Sequence, residues 1–130
     1  MKQHGLSGSN LWEVTNATLL SKLTYASQAW WGMIDAEGKL RLQSVIKKAI
    51  KHGFLPKTYH TIQQLCEDAD ASLFLSILKN SAHVLNQLLP PIKHTSHDLR
   101  PRAHNRVIPS EKDSFFCQTF LIRMLSLNSF

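Results

Sequence analysis

The sequence of 130 residues lacks several patterns on which whole classes of protein depend. Its two cysteines, Cys66 and Cys117, have no C-x-x-C spacing, which argues against a disulfide scaffold and a cysteine-based zinc site. We expect both to be buried thiols in a reducing compartment. The five glycines are scattered singly, so the chain has neither a glycine-rich phosphate loop nor a Gly-x-Ser-x-Gly nucleophile elbow.

Long apolar runs and a leader-like N-terminus are also missing. The longest uncharged stretches, residues 23–34 and 80–92, are shorter than the ~18 apolar residues that a membrane span needs. The first ten residues are polar and glycine-rich, unlike a signal peptide. We therefore expect an intracellular protein, cytoplasmic or nuclear, that is neither secreted nor associated with a membrane.

Carboxylates suited to catalysis are scarce. Glu67, Asp68 and Asp70 form the closest group of three acids, and we expect them to cap a helix rather than to hold the two metal ions of a nucleotidyl transferase. His94 and His97 are spaced as metal ligands sometimes are, but they have no cysteine partners. The sequence therefore predicts no catalytic residue, no metal site and no cofactor, and we expect that the chain is not an enzyme.

Basic charge and helical periodicity are what the sequence does contain. Fifteen Lys and Arg residues against nine acidic residues give a net charge of +6, which favours polyanionic partners. Apolar residues make up 43%, enough for the core of one domain. Strand-like alternation and hairpin turn signals do not occur. The sequence predicts an all-α fold: a small irregular bundle of five or six helices with an extended basic segment before the last helix.

The predicted domain begins with a lead-in at residues 1–10 and a helical core at residues 11–91. The first helix covers residues 11–32, with a capping box of Asn10 and Glu13. Its buried face follows the helical spacing of Trp12, Asn16, Leu19, Leu23, Ala26, Trp30 and Met33. The predicted stripe is wide, because Leu20, Ser27, Trp31 and Ile34 lie beside these residues. The second helix covers residues 36–52, between an N-cap at Asp35 and a C-terminal Gly53.

Three short helices are predicted next, over residues 62–67, 71–79 and 82–89. Thr61 caps the first, Asp68 or Asp70 the second and Ser81 the third, and Asn80 closes the second. Residues 92–110 form the extended basic segment, and residues 111–130 contain a last helix over residues 113–127. That helix is apolar nearly all round, so we expect it to be buried or to fit against a missing partner.

Two basic clusters are candidate phosphate-binding sites: Lys47, Lys48 and Lys51 on the second helix, and Arg100, Arg102 and Arg106 on the extended segment. Each has an alternative interpretation. In the alternative for the lysines, they form only a solvated face of the helix. In the alternative for the arginines, they cap helix C-termini and pack their aliphatic stems. Base stacking by Trp30 and Trp31 is the weaker interpretation of that pair, because both lie in the apolar stripe of the first helix.

Residues 23–32, LTYASQAWWG, resemble a segment near the C-terminus of the reverse transcriptases encoded by non-LTR (LINE-type, jockey-like) retrotransposons. LRPR at residues 99–102 and FLIRML at residues 120–125 follow the same family in register. So do residues 4–6, 70, 73–74, 77–78, 80, 83, 85, 88–91, 104–105 and 109. The ordered set covers nearly the whole chain. The chain departs from the family at two places. Gln28 stands where proline is common, and residues 126–130 lack the usual tyrosine and lysine.

The resemblance implies the helical thumb of such a polymerase and the tail beyond it. A thumb grips the RNA/DNA template–primer duplex from the minor-groove side, mostly through backbone contacts, and it borders the palm domain. The aspartate pair of the family's palm and its endonuclease domain are absent from this sequence. We therefore expect a non-catalytic C-terminal fragment that binds nucleic acid non-specifically through the phosphate backbone. The alternative is a helical protein–protein interaction module with no nucleic-acid role.

Overall fold

The computed structural model describes residues 5, 8–94, 96, 104–110 and 113–129. The fold is all-α, as the sequence predicts. Among the described residues, one isolated antiparallel β-bridge joins Ile92 to Arg106. The helices are α1 (Ser9–Thr15), a π-helical stretch (Asn16–Leu20), α2 (Ser21–Leu23), α3 (Ser27–Trp30), α4 (Ala36–Lys51), α5 (Ile62–Lys79), a 3₁₀ helix (Val84–Leu88), α6 (Ser114–Gln118) and α7 (Phe120–Leu127).

The N-terminal helical region is not the continuous helix over residues 11–32 that the apolar spacing predicts. α1 begins at Ser9 after Gly8 without a side-chain cap, so the predicted capping box of Asn10 and Glu13 is wrong. The π-helical stretch follows directly, and the chain then breaks at Ala26, whose φ of 49° is left-handed. A left-handed residue cannot continue a right-handed helix, so α3 starts in a new direction.

The buried face of this region coincides with one edge of the predicted stripe, at Leu20, Ser27 and Trp31. The buried residues are Leu11, Thr15, Leu20, Ser27 and Trp31. Of the predicted stripe, Trp12 and Met33 are 37% and 41% exposed. Asn16 and Ala26 are exposed as well, and Leu19, Leu23 and Trp30 are half-buried. The π turn and the break at Ala26 change the helical phase, which the 3.6-residue spacing cannot anticipate.

The prediction for α4 is confirmed. The carboxylate of Asp35 accepts a hydrogen bond from the Gly38 amide at 2.7 Å, which is the expected N-cap. Gly53, just beyond the helix, has a φ of 74°, which favours glycine at the position after a helix C-terminus. Ile46 and Ala49 are the buried residues of its apolar face.

The single helix α5 replaces two predicted short helices. Thr61 caps it in a reciprocal capping box with Gln64, as predicted for its start, and Asn80 ends it. The helix continues without interruption between these two residues, so the capping role of Asp68 or Asp70 is wrong. Asp70 instead lies in mid-helix at 3% exposure. It belongs to the buried stripe of α5: Ile62, Cys66, Asp70, Phe74 and Ile77.

Two apolar clusters make up the core, and α5 contributes to both. The first cluster contains Leu20, Trp31, Ile46, Ala49, Leu55, Ile62 and Cys66. The second contains Phe74, Ile122, Met124 and Leu125. Because Asp70 lies between Cys66 and Phe74 on α5, it marks the boundary between the clusters. One helix therefore links the N-terminal half of the bundle to the C-terminal helices.

The C-terminal elements differ from prediction in their details. The last predicted helix is divided at Thr119, whose ψ of 148° is extended, into α6 and α7. The predicted short helix over residues 82–89 is the 3₁₀ helix, and the His83 side chain rather than Ser81 accepts the capping hydrogen bond, from the Leu85 amide. Cys117 is exposed, so the expectation of two buried thiols is met by Cys66 alone. None of the helices in the described ranges combines the length and apolar character that a membrane span requires.

Candidate nucleic-acid interface

The C-terminal half of α4 carries the lysines of the first predicted basic cluster. Lys47, Lys48 and Lys51 are all exposed. The ion pairs of the described residues join Arg41 to Glu37 and Arg123 to Asp70, so within that part of the chain no carboxylate neutralises these three lysines. Lys48 and Lys51 lie in the last turn, where positive charge also complements the helix dipole.

The other basic residues of α4 have internal partners. The Lys39 ammonium lies 4.6 Å from the centroid of the Trp31 ring, a cation–π contact with the core. Arg41 pairs with Glu37 one turn earlier on the same helix. Contacts thus separate α4 into an N-terminal half whose cations are engaged and a C-terminal half whose lysines face solvent.

Arg106, from the second cluster, is half-buried and has a structural contact. Its Nη1 donates a hydrogen bond to the Pro90 carbonyl at 2.8 Å, beside the backbone bridge to Ile92. Neighbouring His104 is buried, with Nε2 at 2.9 Å from the Leu125 carbonyl of α7. A guanidinium has five N–H donors, so one such bond leaves others for an anion. Arg100 and Arg102 lie outside the described residues.

One internal ion pair was not predicted from the sequence. Arg123 Nη2 donates to Asp70 Oδ2 at 2.6 Å, and the two side chains are 17% and 5% exposed. Burial raises the pKa of Asp70, and the Arg123 charge and hydrogen bond oppose that rise. The available signal was that Asp70 continues the four-residue spacing of Ile62 and Cys66. An acid in such a stripe requires a buried partner rather than a helix end.

The described residues bring no group of three His, Cys, Asp or Glu side chains into an arrangement that could hold a metal ion. Burial also raises the pKa of the Cys66 thiol, which favours its protonated form. Comparisons with models of protein families, with curated proteins and with solved structures found no match. Of the predicted site residues that the structure describes, Lys47, Lys48 and Lys51 are exposed and Arg106 is half-buried.

Proposed function

We propose that the chain is a non-catalytic C-terminal fragment of a retrotransposon RNA-directed DNA polymerase, which binds template–primer duplexes through their phosphate backbone. The ordered resemblance to the thumb and post-thumb region of non-LTR reverse transcriptases supports this origin. The observation that carries the binding role is the exposure of Lys47, Lys48 and Lys51 on one half of α4 without an ion pair to any described acid.

The chemistry of these side chains explains the kind of binding. A lysine ammonium is a compact charge on a flexible stem, so it contacts phosphates with little dependence on base sequence. Each phosphate contact releases counterions, and log affinity then falls linearly with log salt, by about 0.9 per contact on B-form DNA. With some of the six candidate residues engaged at once, we expect a slope of about −3 to −5 for the whole chain.

A salt titration with a random-sequence duplex tests the lysines. The triple variant Lys47→Gln, Lys48→Gln, Lys51→Gln should flatten the slope by about two to three units. The matched control replaces the exposed Lys22, Lys57 and Lys79 by Gln and removes the same charge elsewhere. Equal flattening in both variants would mean generic attraction to a +6 chain and would refute the site.

The arginine cluster forms a second arm of the titration. Replacing Arg100, Arg102 and Arg106 by Ala should flatten the slope by about two units. Because Arg106 binds the Pro90 carbonyl, unfolding of this variant by urea is measured in parallel, and Arg106→Lys serves as the milder replacement.

The polymerase-fragment origin further predicts no template-dependent primer extension with Mg²⁺ or Mn²⁺, and extension above a mock preparation would contradict it.

The interaction module remains the second candidate because large apolar side chains are exposed. Tyr25 and Val84 are 80% exposed and Leu40 is 70% exposed. Exposed apolar surface of this kind marks protein contacts when it is contiguous. This candidate predicts weak nucleic-acid binding that neither triple variant changes specifically. It also predicts a protein partner whose affinity falls on replacement of an exposed apolar side chain, such as Leu40→Ala.

A further inference from the structure

An open groove of about 520 Å³ lies between the N-terminal helical region and α4. Thr18 and Leu19 line it from the π-helical stretch, and Val45, Ala49 and Phe54 line it from α4 and the turn that follows. The volume is within the ~300–1,000 Å³ range of small-ligand pockets. Its wall is overwhelmingly apolar, and the exposed Lys48 is among the residues that line it.

The polar atoms of the threonines in the groove are already engaged. Thr15 Oγ1 donates to the Leu11 carbonyl at 2.8 Å, and Thr18 Oγ1 donates to the Val14 carbonyl at 2.7 Å. Both hydroxyl protons are therefore used within the helix. The other polar side chains of the lining are Lys48 and His52, which are few for a ligand rich in hydrogen-bonding edges such as a nucleobase.

The size of the groove also limits its occupant. Its lining along α4 and the residue after it runs from Val45 to His52, about 10 Å along the helix axis. A partner helix is about 10–12 Å wide with its side chains and docks through apolar anchors over several turns. The groove is too short for that, whereas a single alkyl chain lies well within it.

We propose that this groove binds a single-chain amphiphile with a terminal carboxylate, that is, a fatty acid. The alkyl chain lies along Leu19, Val45 and Ala49, and the carboxylate accepts a hydrogen bond from the Lys48 ammonium. Charge complementarity selects the head group, because Lys48 is exposed and forms no ion pair with the acids of the described ranges. Fatty-acid binding here does not presuppose the proposed nucleic-acid function, although both would use Lys48.

Calorimetric titration of the full chain with hexanoate, octanoate and decanoate, each below its micelle concentration, tests the apolar part. Affinity should rise by up to about fourfold per added methylene while the chain remains in the groove. Thr18→Trp places a large side chain in the groove from an exposed position and should abolish saturable binding. Circular dichroism checks that this variant keeps its helices. The absence of saturable binding to the unmodified chain would overturn the proposal.

A matched pair of lysine variants tests the head group. Lys48→Met keeps an apolar stem and should weaken decanoate binding about fivefold while leaving the binding of uncharged decanol unchanged. Lys47→Met removes the same charge from the adjacent residue, which does not line the groove, and should leave decanoate affinity unchanged. Equal losses in both variants would overturn the assignment of Lys48. Loss of decanol binding in Lys48→Met would do the same.

Discussion

Arg123 and Asp70, 53 residues apart in the sequence, form an ion pair in the interior, with Nη2 and Oδ2 at 2.6 Å. The pair joins α7 to the middle of α5, at the boundary between the two apolar clusters. The guanidinium also covers Gly32: a Cβ built on that glycine would be 2.0 Å from Arg123 Nη1. Three distant parts of the chain therefore meet around one charged side chain.

Breaking this pair should destabilise the fold strongly. Arg123→Met leaves the Asp70 carboxylate buried without its partner, which should lower the free energy of unfolding by about 3 kcal/mol. Urea unfolding monitored by circular dichroism measures the change. Arg41→Met is the matched control, because it breaks the exposed pair with Glu37 and should cost only the ~0–1 kcal/mol typical of such pairs. Equal losses in the two variants would show that the Arg123–Asp70 pair contributes no more than a surface contact.

The same carboxyl group should make stability depend on pH. Burial raises the pKa of Asp70 above its unfolded value, so the folded chain binds this proton more tightly than the unfolded chain. The contribution of Asp70 is therefore complete below the unfolded value near 3.9 and declines as pH rises through the raised folded pKa. Relative to Asp70→Asn, which cannot ionise, the unmodified chain should lose stability with rising pH over that interval. Urea unfolding across a pH series measures the difference, and parallel curves would contradict the prediction.

Gly32 should tolerate no side chain. The Cβ of an alanine would lie 2.0 Å from Arg123 Nη1 and 2.4 Å from the Gln118 carbonyl oxygen, and the second of these atoms is backbone. Gly32→Ala should therefore destabilise the chain by about 1–3 kcal/mol through overpacking. Thermal unfolding measures the loss. An unchanged or higher melting temperature would mean that α6 and α7 do not pack on this glycine.

Ala26 should behave in the opposite way, because it has the left-handed φ that glycine adopts at little cost. Ala26→Gly should stabilise the chain by up to about 1 kcal/mol, since the left-handed conformation costs an L-residue ~1–2 kcal/mol and the added flexibility offsets part of that. Ala29→Gly, at an exposed position within α3, is the control and should destabilise by about 0.5–1 kcal/mol. Losses of the same size in both variants would exclude strain at Ala26.

The two adjacent tryptophans should contribute unequally. Trp31 is 5% exposed in the first cluster, and Trp31→Ala should cost about 3–5 kcal/mol. Trp30 is half-buried and packs edge-on against Trp31 with ring centroids 6.1 Å apart, so Trp30→Ala should cost less. Equilibrium unfolding of the two variants measures the order. A larger loss for Trp30 would contradict the order of burial of the two tryptophans in the fold.

Local chemistry was sufficient to predict the all-α class, the bounds of α4 and the beginning of α5. Helix capping is local: Asp35 and Thr61 accept hydrogen bonds from amides three residues on, and Gly53 adopts the dihedral angles that end a helix. The neighbouring sequence therefore specifies the roles of these residues. The exposure of Lys47, Lys48 and Lys51 follows from the same periodicity, because the opposite face of α4 carries the apolar residues. The candidate lysine site could thus be placed on the helix before its surroundings were known.

Tertiary packing decided the roles of Asp70, Ala26 and Arg106. Aspartate often caps helices, but the Arg123 guanidinium from α7 pairs with Asp70 and stabilises it inside α5. The apolar spacing places both Trp30 and Trp31 in the core stripe, but after the break at Ala26 only Trp31 is buried and Trp30 is half-buried. Arg106 was predicted from charge alone, yet its contact with the Pro90 carbonyl depends on two segments meeting in space. Local propensities differ by about 1 kcal/mol or less per residue, so burial and charge pairing between distant segments override them wherever the two disagree.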